Sequence, residues 1–495
     1  MVNWTSGGYG NMLELSFIFL AGFLVSLLSE RVAFIFTVVS SVSLFYAWSD
    51  PFSFVTILVG LASILFSFEY LKGTPHHRRF LAFMYLFLFS SLFFLSAGNW
   101  LALYLAWELM AICSYALIIH KGTKTACLAA RKAFIFNGLS SFLLLGALII
   151  IYQTFGTFDF LLIPDIARYF ILGAAIIKGA LIPFTSWLTG AMEAPTPASA
   201  LLHSTSLVSA GAILIHKFYP FFIDLAPFIK IFALCSFFIA SVMALREEHK
   251  KTLLAYSTVA SMSLLFYLFD SPYFLYAFAI HAILKATLFI LAGTYAAHHD
   301  YILDLGLNPK SLTSVIVAFA LLSLSGFPLL GFFWIKSGET LILAAAMFLV
   351  SLLHSAKYHL RSFSGGVQPR TGIGTRLAVM MTAFSLFFVV GTFHSGTLFY
   401  GLVFLILTPI GLKFCDYHIL NRLGGVLQIL FSPEMNGEPF SGFSDILNED
   451  WFYSLFEKLK TLNSNFHSRL KSSVSNDVAY IVLALIILVM GVIIC

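Results

Sequence analysis

Three lysines (Lys178, Lys285 and Lys336) and one glutamate (Glu108) stand inside stretches otherwise apolar enough to cross a bilayer. A charge in hydrocarbon is costly, so ionisable groups at such positions mark an ion or proton path. Lys178 is followed by Pro183, which removes a backbone donor and breaks the helix. Broken backbone at membrane depth must face a cavity or protein, not lipid, and a lysine beside it can be hydrated and exchange its proton. The competing reading is a lysine that snorkels to the interface. Lys336 repeats the arrangement after Gly326 and Pro328, although Ser337, Gly338 and Glu339 also fit a helix ending at the interface. Two Pro-interrupted segments, each with a lysine, suggest internal repeats of the transporter kind.

His281 and Lys285 are four residues apart and share one helix face. Histidine titrates near neutral pH, so a proton could pass between the two through water; a histidine tied to neighbouring backbone is the structural alternative. Glu108 needs a cationic partner at its depth, and Lys178 is the candidate. A Glu–Lys pair that opens and closes would act as a proton-loading switch, and one that stays shut as a structural tie. His203 lies among Ser199, Ser204, Thr205, Ser206 and Ser209, hydroxyls that could hold a water chain or simply cap and pack helices.

The elements that must position these groups follow from composition. The chain has 495 residues, 60% hydrophobic and 10% charged, with mean hydropathy +0.93. Continuous apolar runs, not alternating ones, give an all-α polytopic membrane protein with about sixteen spans, the first eleven being 11–29, 32–48, 52–70, 81–97, 99–119, 132–152, 166–188, 196–216, 221–244, 252–269 and 273–296. The first run, near Leu13 to Leu28, contains Glu14, has no basic segment before it and reads as a retained helix. Basic residues gather in four loops: Lys72, Arg78 and Arg79; Lys121, Lys124, Arg131 and Lys132; Arg246, Lys250 and Lys251; Arg361, Arg370 and Arg376. The opposite loops carry Asp50, Asp159, Asp165, Asp224 and Asp270. The positive-inside rule then places these basic loops in the cytoplasm and both termini outside. No phosphate-binding loop, dinucleotide fingerprint, haem or iron–sulfur spacing or C-x-x-C pair occurs, so no cofactor, metal site or nucleic-acid partner is expected. Redox chemistry would sit on another chain.

These pieces resemble the proton-conducting, antiporter-like membrane subunits shared by respiratory complex I, membrane hydrogenases and multi-subunit sodium/proton antiporters. The resemblance covers roughly residues 55–365. It rests on Trp107-Glu108 with Ser114-Tyr115, on Lys178 through Trp187, and on Ala194-Pro195-Thr196-Pro197 with Ser199-Ala200-Leu201 and His203. It continues in Lys251-Thr252-Leu253-Leu254-Ala255-Tyr256-Ser257-Thr258, in His281 with Lys285, and in Gly326-Phe327-Pro328 with Lys336. The Pro-Thr-Pro form points to the L-type branch. The resemblance implies two inverted five-helix repeats with a hydrated axis along the membrane midplane. Glu108 would modulate Lys178, His281 and Lys285 would bridge the halves, and Lys336 would exchange protons with one side. Two departures stand out: Ser337 replaces an acidic residue, and Asn137-Gly138-Leu139-Ser140-Ser141 replaces an Asn-Arg-x-Gly-Asp pattern.

The expected organisation is N-terminal transmembrane helices (1–80), a translocating core (81–365), additional transmembrane helices (366–414), a cytoplasmic amphipathic segment (415–476) and a last transmembrane helix (477–495). The short chain, with its lateral brace reduced to 415–476, is similar to stand-alone members of the DabB type. This implies a subunit of the inner membrane that conducts H⁺ or Na⁺ and energises CO2 hydration or bicarbonate uptake on a large, cytoplasmic, zinc-containing partner. Catalysis would lie on that partner. The alternatives are a pump subunit beside other complex I or hydrogenase-like chains, and a non-conducting scaffold.

Overall fold

The computed structural model describes residues 9–47, 50–160, 162–247, 249–296 and 377. The chain divides into two compact units, Met1–Phe431 and Ser432–Cys495, and all described residues belong to the first. Lys336, Gly326, Pro328 and the 415–476 segment lie outside the described residues.

Among the described residues the fold is helical, with no strand beyond an isolated bridge between Asn99 and Asp159. The helices are α1 (Tyr9–Leu28), α2 (Glu30–Ser40), α3 (Ser43–Ala47), α4 (Pro51–Tyr70), α5 (His77–Leu95), α6 (Trp100–Ile118) and α7 (Lys124–Phe155). Then come α8 (Asp165–Lys178), α9 (Ser186–Gly190), α10 (Thr196–Ser204), α11 (Ser206–Lys217), α12 (Ala226–Arg246), α13 (Lys250–Tyr267) and α14 (Phe274–Ala296). Seven helical stretches here are long and apolar enough to cross a membrane. The eleven expected spans that fall among described residues each coincide with helix. Three of them are interrupted: 32–48, divided between α2 and α3; 166–188, which contains α8 and α9; and 196–216, which contains α10 and α11.

Local chemistry sets the ends. Asp50 accepts from the Phe52 and Ser53 amides at the start of α4, where Pro51 fits because its missing N–H would have no partner there. Asn99 caps α6 through the Ala102 amide at 2.8 Å, and Thr123 caps α7 through Ala126 at 3.1 Å. Helix α7 stops at Gly156, whose φ of 70° is the left-handed turn that glycine adopts without a steric penalty.

Helix α14 is the hub. It packs against α4, α10 and α13, and from Ala277 to Ala292 its apolar side chains are buried. Around it α5 joins α1 to α6, α7 joins α6 to α8, and α11 seats against α8. The α11–α8 approach is close. A Cβ on Gly211 would meet the Ala175 carbonyl oxygen at 2.1 Å, so only glycine lets these backbones touch, one turn before Lys178.

Candidate functional site

Helix α8 ends at Lys178, as the proline five residues downstream requires. Ala180 has a φ of 55°, and the Ile182–Pro183 bond is cis. The interruption is sealed by side chains. The Trp187 indole donates to the Ile177 carbonyl at 3.0 Å, and the Ile182 amide donates to Ser236 Oγ at 3.0 Å, which also accepts from Ser263 Oγ at 2.9 Å. Exposed backbone at this depth needs such partners. Replacing Trp187 with Phe removes one of them; we expect a loss of about 1 kcal/mol, read as a lower melting temperature of the purified protein.

Lys178 is fully buried. Its Nζ donates to the Trp107 carbonyl at 3.2 Å and sits 4.8 Å from the Trp107 ring centroid. Glu108, the next residue on α6, is half-buried; it acts on Lys178 electrostatically and engages the Tyr104 hydroxyl one turn away. Of the two arrangements expected for Glu108 and Lys178, a pair that opens and closes or one that stays shut, the structure shows no direct bond between the side chains. The two are neighbours, but the lysine takes the backbone oxygen of the preceding residue, because α6 turns the Glu108 side chain toward Tyr104. Beside them α7 presents Asn137, Ser140 and Ser141, all buried. Ser140 donates to the Ala174 carbonyl at 2.8 Å, whereas Asn137 Oδ1 and Ser141 Oγ have no partner among the described residues.

The second interruption has no proline and was not foreseen. Thr205 is extended, with φ −114° and ψ −153°, and divides α10 from α11. Its hydroxyl donates to the Leu201 carbonyl at 2.7 Å, and Ser209 donates to its carbonyl at 2.9 Å. Hydroxyls that bond backbone in this way compete with the helix ladder. The break frees the His203 carbonyl, which lies 3.1 Å from His281 Nε2. A carbonyl only accepts, so Nε2 carries the proton and donates. His281 Nδ1 and both ring nitrogens of His203 are buried without a partner among the described residues. The His203 ring lies 5.0 Å from that of Phe289.

His281 and Lys285 share a face of α14, as their spacing requires, but reach different neighbours. His281 turns to α10, whereas Lys285 donates to the Leu254 carbonyl at 3.4 Å and to Ser257 Oγ, both on α13. They remain close enough to interact electrostatically.

Lys250 and Lys251, counted above among the loop charges, instead open α13 and are buried, at 2% and 1% exposed. Lys251 Nζ donates to the carbonyls of Met192 and Ala194 at 2.6 and 2.7 Å, ending a short 3₁₀ turn, Ala191–Glu193. Those carbonyls have no helical partner, which is why a cation is drawn in from the start of α13. Lys251 also acts on His203, together with Lys285 and His281. Toward the surface, Glu193 accepts from Thr125 Oγ1 at 3.0 Å, and His249 lies beside Glu193, Lys251 and Lys121. Burial, then the Lys251 charge, holds the His249 imidazole below the ordinary histidine range, against the opposing pull of Glu193. Among the described residues, no group of three or more His, Cys, Asp or Glu could hold a metal ion.

The structure thus gathers Glu108 with Lys178, and His203 with Lys251, His281 and Lys285, around two helix interruptions on the adjoining helices α8 and α11. Comparison with known proteins follows the same residues. The family described as NADH:quinone oxidoreductase/Mrp antiporter, transmembrane, matches residues 97–356. NADH-quinone oxidoreductase subunit L of Buchnera aphidicola is 34% identical over 260 residues, covering 48% of this chain and 42% of that relative. NADH-ubiquinone oxidoreductase chain 5 of Paramecium tetraurelia is 31% identical over 320 residues, covering 58% of this chain and 56% of the relative. The chain spans about half the length of the curated relatives it matches. In fold it is similar to a chain of the Mrp complex from a Dietzia species, with TM-score 0.66 and 20% identity over 98% of this chain and 63% of that one. It is likewise similar to a chain of respiratory complex I from Thermus thermophilus, with TM-score 0.63 and 20% identity over 76% of this chain and 97% of that one.

Proposed function

The chain belongs to the NADH:quinone oxidoreductase/Mrp antiporter transmembrane family, and we propose that it is a proton-conducting membrane subunit that energises a partner. One observation carries the reading. Five titratable side chains, Lys178, His203, Lys251, His281 and Lys285, are at most 1% exposed in a helical membrane core. Groups of this kind are expensive to keep there without a role. Lysine and histidine exchange protons, whereas Na⁺ is held by oxygen ligands, and this cluster is built from basic side chains. Lys251 receives the proton from the Glu193–His249 surface, His203 takes it inward, and His281 and Lys285 hold it at the hub. Lys178, biased by Glu108, forms the other end of the described route. Lys336, outside the described residues, is expected from the resemblance to exchange protons with one side.

The test is flux. The subunit, purified with its partners and sealed in proteoliposomes, should carry H⁺ down an imposed potential, read by quenching of a pH-sensitive dye. Lys251→Arg keeps the charge and the donors to Met192 and Ala194 but not an exchangeable proton. We expect flux to fall about tenfold or more with assembly intact. Wild-type flux of Na⁺ without H⁺, or undiminished flux in the arginine variant, would overturn this route.

Two partners fit. A zinc-containing inorganic-carbon protein in the cytoplasm of an inner-membrane complex is the one expected from sequence. The names of the relatives favour quinone-reductase subunits instead. Metal analysis and mass spectrometry of the co-purified complex separate the two.

A further inference from the structure

A basic cluster lies at the end of the bundle where α5 begins, and through His120 it adjoins Lys121, the neighbour of His249. Lys72, His76, Arg78 and Arg79 are exposed there, and Arg31 at the start of α2 is exposed as well. His120, in the turn after α6, feels the charges of Arg79, His76 and His77, and its ring lies 4.8 Å from that of Phe80. Glu30 approaches His77 at 3.4 Å. Arg79 makes no hydrogen bond or ion pair among the described residues.

The cluster is continuous with an apolar edge. Arg78 Nη1 donates to the Leu28 carbonyl at 3.4 Å, where α1 gives way to α2. From that turn, Leu24, Leu27, Leu28, Val32 and Ile35 point outward at 59%, 47%, 76%, 49% and 61% exposure. Guanidinium groups at the mouth of an aliphatic, membrane-facing strip match one chemistry: phosphate at the head and hydrocarbon below it. An acidic peptide would complement the charges but leave the strip unmatched.

We propose that this corner is a binding site for an anionic phospholipid. Arg78 and Arg79 hold the phosphate, with Lys72 and His76 flanking it, and the acyl chains lie along the Leu24–Ile35 edge. Lipid retention is read without measuring flux, so this site stands or falls separately from the proton route.

The full chain, delipidated and returned to phosphatidylglycerol or phosphatidylcholine, tests this by native mass spectrometry and by melting temperature. Phosphatidylglycerol should be retained preferentially and should raise the melting temperature more than phosphatidylcholine does. Arg78→Gln with Arg79→Gln, both at exposed positions, should cut phosphatidylglycerol retention about fivefold or more and erase the difference between the lipids. Phosphatidylcholine retention should not change. Ile35→Asn should weaken phosphatidylglycerol without restoring phosphatidylcholine. Equal retention of the two lipids by wild type, or unchanged retention in the arginine variant, overturns the proposal. So does competition by glycerol phosphate at the same concentration as the lipid, which would show a phosphate site without acyl contacts. If the corner excludes lipid in the assembled complex and the double variant fails to assemble, it serves a protein partner instead.

Discussion

Replacing Lys178 with Met should abolish proton flux through the reconstituted complex while leaving the complex assembled. Lys178 is fully buried, and its hydrogen bond goes to a backbone oxygen of α6. Methionine is close in volume, and exchanging a buried ion for a packed apolar side chain is often neutral or better for folding. The Trp107 carbonyl gives up one donor, at a cost of about 1 kcal/mol. Transport loses the only described titratable side chain at the end of α8. We expect a fall in flux of about two orders of magnitude. Lys178→Arg should be nearly as inactive, because guanidinium keeps its proton. Glu108→Gln should be milder, since Glu108 biases the lysine without bonding it. Dye-quench flux together with size-exclusion of the complex decides the matter: full flux in an assembled Lys178→Met complex would establish the scaffold reading.

Gly211→Ala should be the most damaging single methyl group in the described core. The added Cβ would lie 2.1 Å from the Ala175 oxygen, 2.8 Å from its carbonyl carbon and 2.9 Å from its Cα. All three are backbone atoms, so no side chain can swing away, and α11 must retreat from α8 by about 1 Å. We expect a loss of about 3 kcal/mol or more, seen as a sharp drop in melting temperature or in recovery of folded protein. Gly138→Ala is the control: nothing lies within 4 Å of its Cβ position, and alanine favours the helix. A Gly211→Ala protein as stable as the control would show that the two helices are not locked.

What could be read from the chain divides along physical lines. The helices were legible because apolar runs of bilayer length have few other fates. The interruption after Lys178 was legible because proline cannot donate. The one at Thr205 was not, because serine and threonine break a helix only when their hydroxyls find carbonyls, and that depends on tertiary fit. Lys250 and Lys251 were misread for a related reason. A lysine at the start of an apolar segment usually meets water, and nothing local announced the orphan carbonyls of Met192 and Ala194. The Glu108–Lys178 neighbourhood followed from charge balance, but the lysine's choice of the Trp107 oxygen was set by the rotation of α6. Gly211 was one glycine among 33; its need to lack a side chain appears only once α8 is beside it.

Helix α7 overshoots the bilayer. Its 32 residues measure about 48 Å at roughly 1.5 Å each, against a hydrocarbon layer about 30 Å thick. The surplus lies at its start, where Lys124, Arg131 and Lys132 precede the apolar stretch. That projecting arm touches Glu193 through Thr125, and lower down the same rod runs along α8. A thinner or thicker host membrane would therefore tilt a lever with the mouth of the proposed route at one end and Lys178 beside its shaft. On the proposed route, acyl-chain length would then act as a mechanical setting for conduction, adjustable without changing a residue.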